Sequence, residues 1–142
     1  MKSNDAYSRL VGHGVKPSVQ RLAIMDYLLT HFTHPTVDDI YKALHPIIPT
    51  LSKTTVYNTL RLFADHHVAQ MISVDDHHIC YDGDMSPHAH FYCNQCGRIH
   101  DLQLTTTPQA DQRFLQEGHL VDMVQVYYRG ICKECRKQGK TN

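Results

Sequence analysis

Two Cys-x-x-Cys pairs constrain the fold of this chain more than any other feature. Cys93 and Cys96 form the first pair, Cys132 and Cys135 form the second, and 35 residues separate the pairs. Four thiolates complete a tetrahedral zinc shell, and closed sites of this kind are structural. We therefore predict a small α/β unit whose ends zinc holds together. The alternative is a redox motif of the thioredoxin type, which usually occurs singly and opens a helix after a strand.

Composition places the chain among globular proteins and narrows its location. Of its 142 residues, 42% are hydrophobic and 20% are charged, and the formal net charge is zero. The sequence has no apolar run of membrane-spanning length and no signal-peptide core at its start, so we expect a cytoplasmic protein without a membrane partner. A reducing compartment favours metal over disulfide for paired cysteines, while Cys80 is expected to be a small strand residue.

The first half of the chain has the pattern of three helices followed by a hairpin. The first helix follows Ser18, the second has a capping box at Thr36 and Asp39, and the third follows Ser52. Two strand-like stretches, at 68–74 and 78–82, come next. This order predicts a winged helix-turn-helix. The apolar face expected for the first helix is Leu22, Met25, Leu28, Leu29 and Phe32.

The third helix carries a second, polar face beside its apolar one. Lys53, Tyr57 and Arg61 recur at i, i+4 and i+8, and Asn58 lies beside them. In a winged helix, such a face enters the major groove of DNA. A solvated helix surface is the alternative. Because net charge is zero, DNA binding must depend on a local patch of this kind.

The composition changes near residue 83, which divides the chain. We predict an α+β protein: a winged-helix domain over residues 1–82, a linker over 83–87, and a small α/β domain over 88–142. In the second domain, strands are expected on either side of the first cysteine pair. A helix capped by Thr107 with Pro108 at its first position should follow, then a long strand over 119–132 and a fraying tail from 133.

Nitrogen and oxygen ligands surround the first cysteine pair. His88 and His90 are two residues apart, so on a strand they point to the same side. Asp101 follows the cysteines. If four sulfurs satisfy the zinc ion, these side chains can chelate a second ion, with iron(II), manganese(II) and zinc(II) all compatible. The alternative for each histidine is an ordinary surface side chain.

The motifs "HPTVDDIY", "SKTTVYNTLR", "HAHFYCNQCG" and "CKEC" stand in this order along the chain. In order and spacing they resemble the ferric uptake regulator family of metal-dependent repressors, over about residues 7–136. The resemblance implies a structural zinc site at the four cysteines. It also implies a regulatory iron or manganese site. Its five ligands would be His34, Asp82, His88, His90 and Asp101.

Within that family, the chain is most similar to the peroxide-responsive repressors. Those carry aspartate at the position of Asp101, where the iron-uptake branch usually has glutamate. Pro87 and Ala89 also stand where the iron-uptake branch often has further ligands. The zinc-uptake branch uses a cysteine in its sensor site, and none of the five positions holds one. The resemblance implies a repressor that releases metal and DNA when iron and peroxide oxidise His34 or His88.

The same resemblance implies how DNA is bound. Tyr57 and Asn58 would contact bases, Lys16 would reach the minor groove, and a homodimer formed after residue 90 would read a double-stranded operator. The nearest alternative is an iron- or manganese-responsive uptake repressor without peroxide sensing. A zinc-ribbon protein that stores metal or serves as an adaptor would bind metal without operator affinity. We do not expect an enzyme, because the sequence shows no general base beside the ligands.

Overall fold

The chain consists of two compact units. The computed structural model describes residues 2–75 and 78–139, and its units are Met1–Met85 and Ser86–Asn142. The segment predicted as a linker, 83–87, is thus divided between them. Gly83 is buried, and its carbonyl accepts a hydrogen bond from Arg9, so this part of the segment packs with the first unit.

The first unit has the architecture of a winged helix-turn-helix. Helices α1, α2, α3 and α4 span Lys2–Gly12, Val19–Thr30, Val37–Leu44 and Lys53–Asp65. Strands β1 (Gln70–Asp75) and β2 (His78–Asp82) form an antiparallel hairpin, the wing. The three predicted helices and the hairpin are confirmed. Helix α1 was not predicted.

Side-chain caps begin the three predicted helices at the expected residues. Ser18 accepts a hydrogen bond from the Arg21 amide, and Ser52 accepts one from the Thr55 amide. Thr36 and Asp39 form the predicted capping box, each side chain accepting from the other's backbone amide. Because these bonds satisfy amides that lack partners at a helix start, they fix where each helix begins.

Among the described residues of the first unit, one apolar cluster forms the core. It includes Leu10, Met25, Leu28, Leu60 and Phe63, which are buried completely. One core prediction is wrong: Phe32 is 55% exposed. Helix α2 ends at Thr30, so the helical spacing that would have turned Phe32 inward stops two residues before it.

The second unit is built on a three-stranded sheet. Strands β3 (His88–Cys93), β4 (Ile99–Gln103) and β5 (Tyr127–Gly130) lie in the order β4-β3-β5. Strand β3 pairs antiparallel with β4 and parallel with β5. Two short helices, α5 (Gln112–Gln116) and α6 (Lys133–Lys137), complete the described part of this unit. This confirms the predicted α+β class.

Three boundaries predicted for the second unit are wrong. The first helix begins at Gln112 instead of after Thr107, because the Asp111 carboxylate accepts from the Arg113 amide and caps it there. Alternation over 119–132 predicted one long strand, but only Tyr127–Gly130 has a ladder with β3. The tail from residue 133 begins with α6, which Cys132 precedes as N-cap residue.

The described helices include no candidate for a membrane span. None of them is both long and apolar enough to cross a bilayer.

Candidate metal centres and nucleic-acid interface

The four paired cysteines meet in the second unit. Their Sγ atoms all lie within 4.8 Å of one another. Cys93 Sγ is 3.8 Å from Cys135 Sγ, and Cys96 Sγ is 3.8 Å from Cys132 Sγ. A tetrahedral ion with bonds of about 2.3 Å to sulfur separates its ligands by about 3.8 Å, so the sulfurs fit zinc. The same separation far exceeds the S–S bond of about 2.05 Å in a disulfide.

Local backbone bonds create this arrangement. The Gly97 amide donates to the Cys93 carbonyl across the turn after β3, where Gly97 has a φ of 75°. A residue with a side chain adopts that φ only at a cost, so glycine suits the turn. The Asn94 amide donates to the Gly130 carbonyl at 2.7 Å, which brings the end of β5 beside the turn. The two cysteine pairs are therefore placed together by the sheet.

The thiols of the cluster influence one another's charge. Burial opposes ionisation of Cys93, but backbone amides, from Cys96 and Cys132 among others, lower its pKa to about 6. Burial and the neighbouring sulfurs raise the pKa of Cys135 to about 12. Protein groups alone therefore favour the thiolate of Cys93 and oppose that of Cys135. A divalent cation would compensate the charge of all four, as a zinc site requires.

Three of these cysteines also form a buried cluster in the second unit, whereas Cys96 is exposed. Among its described residues, Cys93, Cys132 and Cys135 form one buried cluster, against which Phe91 and Ile131 pack. Small units with so little apolar core usually need a metal or disulfide to be stable. Cys80 lies apart on β2, and burial, with the charge of Asp39, raises the pKa of its thiol. That protonated thiol fits the expected role of a strand residue.

In the first unit, His34 and Asp82 approach each other. His34 Nε2 is 3.6 Å from Asp82 Oδ2, and both side chains are more than 90% buried. The Asp82 carboxylate also accepts from the Asp84 amide at 2.9 Å. A buried imidazole and carboxylate at this distance offer nitrogen and oxygen donors of the kind that suit a cation such as iron(II) or manganese(II).

The loop before α3 holds His34 in an uncommon backbone conformation. Its φ is 56°, in the left-handed region that costs a non-glycine residue about 1–3 kcal/mol. The Tyr81 amide donates to the Pro35 carbonyl at 2.9 Å, linking this loop to β2 one residue before Asp82. Tertiary hydrogen bonding thus maintains the strained position that brings His34 to Asp82.

In the second unit, the sheet register places the other three predicted ligands. His90 and Asp101 are Cα partners on β3 and β4, with His90 Nε2 3.6 Å from Asp101 Oδ1. The His88 ring lies 4.5 Å from the His90 ring, as same-side spacing predicts. His88 Nδ1 is 2.7 Å from the Ser86 carbonyl oxygen, so this nitrogen carries a proton and donates it to that carbonyl.

The polar face of α4 is exposed as predicted. Val56 and Phe63 are buried in the core, whereas Tyr57, Asn58 and Arg61 face solvent. Tyr57 is 46% exposed despite its large ring. Exposed aromatic, amide and guanidinium groups on one helix are suited to contact base edges and phosphates.

A groove of about 470 Å³ brings Lys16 and Asn58 together in the first unit. The predicted residues came from separate segments, and the structure brings these two to the same concave surface. Gln20 and Thr55 also line it and were not predicted. Their only sequence signal is a polar residue in the first turn of α2 or α4, where the positive end of the helix dipole favours anions such as phosphate.

Lys53 differs from the other predicted DNA contacts. Its Nζ lies 2.8 Å from Asp38 Oδ1, and Lys42 Nζ lies 2.8 Å from the other oxygen of the same carboxylate. Lys53 Nζ is also 5.6 Å from the centre of the Tyr41 ring. The ammonium group is therefore engaged with α3.

Comparisons with known proteins agree on one family. The sequence profile of the ferric uptake regulator family matches residues 12–129. The peroxide-responsive repressor PerR of Staphylococcus epidermidis is 37% identical over 130 residues, which cover 89% of this chain and 85% of that protein. The protein of the same name from Staphylococcus aureus (strain USA300) is 38% identical over 127 residues, covering 87% and 84% of the two chains.

Solved structures show the same fold. The crystal structure of the Campylobacter jejuni peroxide stress regulator superimposes with a TM-score of 0.64 at 26% sequence identity. The alignment covers 93% of this chain and 97% of that one.

Proposed function

Because this chain belongs to the ferric uptake regulator family, we propose that it is a metal-dependent transcriptional repressor that senses hydrogen peroxide. The observation that carries this proposal is the match to peroxide-responsive repressors over 89% of the chain. The separation of a sulfur site from imidazole and carboxylate ligands supports it. The relatives are named as repressors, which favours regulation over enzymatic catalysis.

The two kinds of ligand would have different tasks. Cys93, Cys96, Cys132 and Cys135 would hold zinc permanently and stabilise the second unit. One regulatory iron(II) or manganese(II) ion would be bound by His34, Asp82, His88, His90 and Asp101. The proposal is supported by the His34–Asp82 pair in the first unit and by the His90–Asp101 pair in the second, each at 3.6 Å.

Peroxide sensing would act on a histidine ligand. Iron(II), when bound, would supply the redox chemistry that makes hydrogen peroxide reactive beside the ligand rings, and a histidine ring would provide the two electrons of the overall oxidation. His34 or His88 then gains one oxygen atom on a ring carbon, and the second oxygen of the peroxide leaves as water. The altered ring binds metal poorly, so the ion is lost. Because ligands of both units would hold the ion, its loss would shift the population away from the DNA-binding form.

Binding to DNA would use the exposed face of α4 and the groove beside it. Tyr57 and Asn58 would contact bases, while Lys16 and Arg61 would contact the backbone or minor groove. Lys53 would contribute less, because Asp38 engages it.

A homodimer would present two such units to the operator. Several large apolar side chains of the second unit are exposed, including Leu102, Phe114 and Leu120, the last at 90%. A second copy that covers them would remove this apolar surface from water. Sedimentation of the zinc-loaded protein should give twice the mass of 16.3 kDa.

Mass spectrometry tests the sensing mechanism directly. The zinc-containing protein is loaded with iron(II) without oxygen, treated with a small excess of hydrogen peroxide and digested. We expect one added oxygen on the peptides that carry His34 or His88, together with loss of DNA binding. A manganese-loaded sample is the control and should stay unmodified, because manganese(II) reacts poorly with peroxide. Unmodified histidines, with DNA binding that follows metal concentration alone, would indicate a metal-uptake repressor instead.

A further inference from the structure

Arg9 of helix α1 connects the two ends of the wing. Its Nη1 atom donates hydrogen bonds to the carbonyls of Val68 and Gly83, both at 3.0 Å. Val68 lies two residues before β1, and Gly83 directly follows β2. Arginine is permanently charged and its donors are held in a rigid plane. One side chain therefore fixes the base of the hairpin against the first helix.

The fixed backbone position of Gly83 also limits the backbone position of its neighbour Asp82. A Cβ atom at residue 83 would lie 2.8 Å from the Leu28 carbonyl oxygen, so the backbone passes α2 at a distance that only glycine permits. On the other side of Asp82, the Tyr81 amide donates to the Pro35 carbonyl. The backbone on both sides of the Asp82 carboxylate is thus hydrogen-bonded to other parts of the unit. On the Gly83 side, the bond from Arg9 attaches it to α1.

The same helix leads to the groove proposed for DNA. Helix α1 ends at Gly12, and Lys16 in the segment that follows lines the groove together with Asn58. A change in the position of α1 relative to the wing would therefore move Lys16 and Asp82 with respect to each other. Because coupling between binding sites is reciprocal, a residue that links them affects binding at both.

We propose that Arg9 is a positioning residue for the regulatory metal, which orients Asp82 through Gly83 and couples metal binding to helix α1. This inference rests on the proposed function, since it assigns Asp82 to a metal. Arg9 does not contact the ion. It acts by keeping the Asp82 backbone in the conformation that presents its carboxylate.

The test compares manganese(II) affinity in three full-length, zinc-loaded variants. Arg9→Met keeps the length of the side chain but loses its donors, Arg9→Lys keeps a charged donor, and Lys42→Met removes a positive charge elsewhere in the same unit. We expect Arg9→Met to weaken manganese binding by about 10–100-fold, the range typical of residues that orient a metal ligand. Arg9→Lys should recover much of the loss, and Lys42→Met should bind as the wild type does. Zinc content should be unchanged in all three.

Melting without manganese separates positioning from stability alone. An Arg9→Met protein that melts lower but binds manganese as the wild type does would overturn the proposal. If Arg9→Met does not fold, hydrogen exchange in the wild-type protein tests the coupling to helix α1 instead. Manganese should slow amide exchange in residues 5–12, and unchanged exchange there would overturn the coupling. A wild-type protein that binds no manganese would refute the proposed function itself, an outcome distinct from unchanged affinity in the variant.

Discussion

Asp101 lies directly across the β3–β4 pair from His90, with 3.6 Å between its Oδ1 atom and His90 Nε2. The histidine side chain is 3% exposed, and that of Asp101 is 34% exposed. The register of the antiparallel pair, and not a flexible loop, determines this distance. If these two side chains bind a metal as proposed, the backbone hydrogen bonds that hold them leave little reorganisation to occur on binding, which favours affinity.

Asp101→Asn tests whether this carboxylate binds the regulatory metal. The substitution keeps the shape of the side chain and removes its negative charge, so manganese(II) loses an anionic oxygen ligand. We expect the dissociation constant to rise by at least about tenfold, which is about 1.4 kcal/mol. Titration of the zinc-loaded protein with manganese(II) measures it.

Asp122→Asn is the matched control for that change. Asp122 is an exposed acidic residue of the same unit, and its loss should leave manganese affinity within about twofold, since exposed substitutions usually have small effects. Equal manganese affinities for Asp101→Asn and Asp122→Asn would show that Asp101 is not a ligand of the metal.

Zinc should be essential to the second unit. Cys132→Ser removes one of four sulfur ligands from a cluster in which three of the cysteines are buried. We expect loss of zinc and a destabilisation of about 4 kcal/mol or more, as for other losses of a structural metal. Zinc content by mass spectrometry and thermal melting check this result. Cys80→Ser, which alters the lone cysteine on β2, should retain zinc and melt close to the wild type.

The sequence was most informative where a local rule determines structure. Thr36 and Asp39 predicted a helix start because a capping box uses only neighbouring backbone groups. The spacing of His88 and His90 predicted a shared side, because strand geometry alternates with a period of two. The two Cys-x-x-Cys pairs predicted that their four sulfurs lie together, because a structural zinc site favours four sulfur ligands.

Long-range contacts account for what the sequence did not predict. The strand expected over 119–132 is limited to Tyr127–Gly130, because pairing with β3 defines its length and alternation does not. Arg9 gave no signal, since its partners Val68 and Gly83 are backbone carbonyls far along the chain. The engagement of Lys53 by Asp38 likewise depends on the packing of α3 beside α4. The assignment of His34 and Asp82 came from family resemblance and not from spacing.

The Asp38 ion pairs should respond to salt but not to pH near neutrality. Hydrogen bonds from Lys42 and Lys53 lower the pKa of Asp38 from 3.8 to about 2. A carboxyl group whose pKa is lower in the folded protein than in the unfolded chain contributes its full stabilisation at pH values above the unfolded-state pKa. For Asp38 that contribution disappears as the pH falls through about 2. The melting difference between wild type and Asp38→Asn should therefore be the same at pH 8 and pH 5.

High salt is the second condition of this experiment. The Lys42 and Lys53 side chains are largely exposed and that of Asp38 is 43% exposed. Sodium chloride at 1 M, with a screening length of about 3 Å, should therefore reduce the melting difference. A difference that shrinks between pH 8 and pH 5 would show that another group with a higher pKa controls the effect.

DNA binding should distinguish base contacts from backbone contacts on α4. The duplex for these measurements is selected from a random pool with manganese-loaded protein. Asn58→Ala should weaken the binding free energy for the selected duplex by about 1–3 kcal/mol and that for random DNA only slightly, because an amide side chain forms hydrogen bonds with base edges. Arg61→Ala should weaken binding to both duplexes and reduce the slope of log affinity against log salt by about 1, because a guanidinium neutralises a phosphate.

Lys53→Ala is the informative comparison for Arg61→Ala. Both lose one positive charge from the same helix, but the Lys53 ammonium lies 2.8 Å from Asp38, whereas Arg61 is exposed on the helix surface. If the Asp38 contact persists on DNA, Lys53→Ala will change the salt slope less than Arg61→Ala does. Equal reductions in slope would mean that Lys53 leaves Asp38 to bind phosphate, and the double variant Asp38→Asn, Lys53→Ala would then match Lys53→Ala.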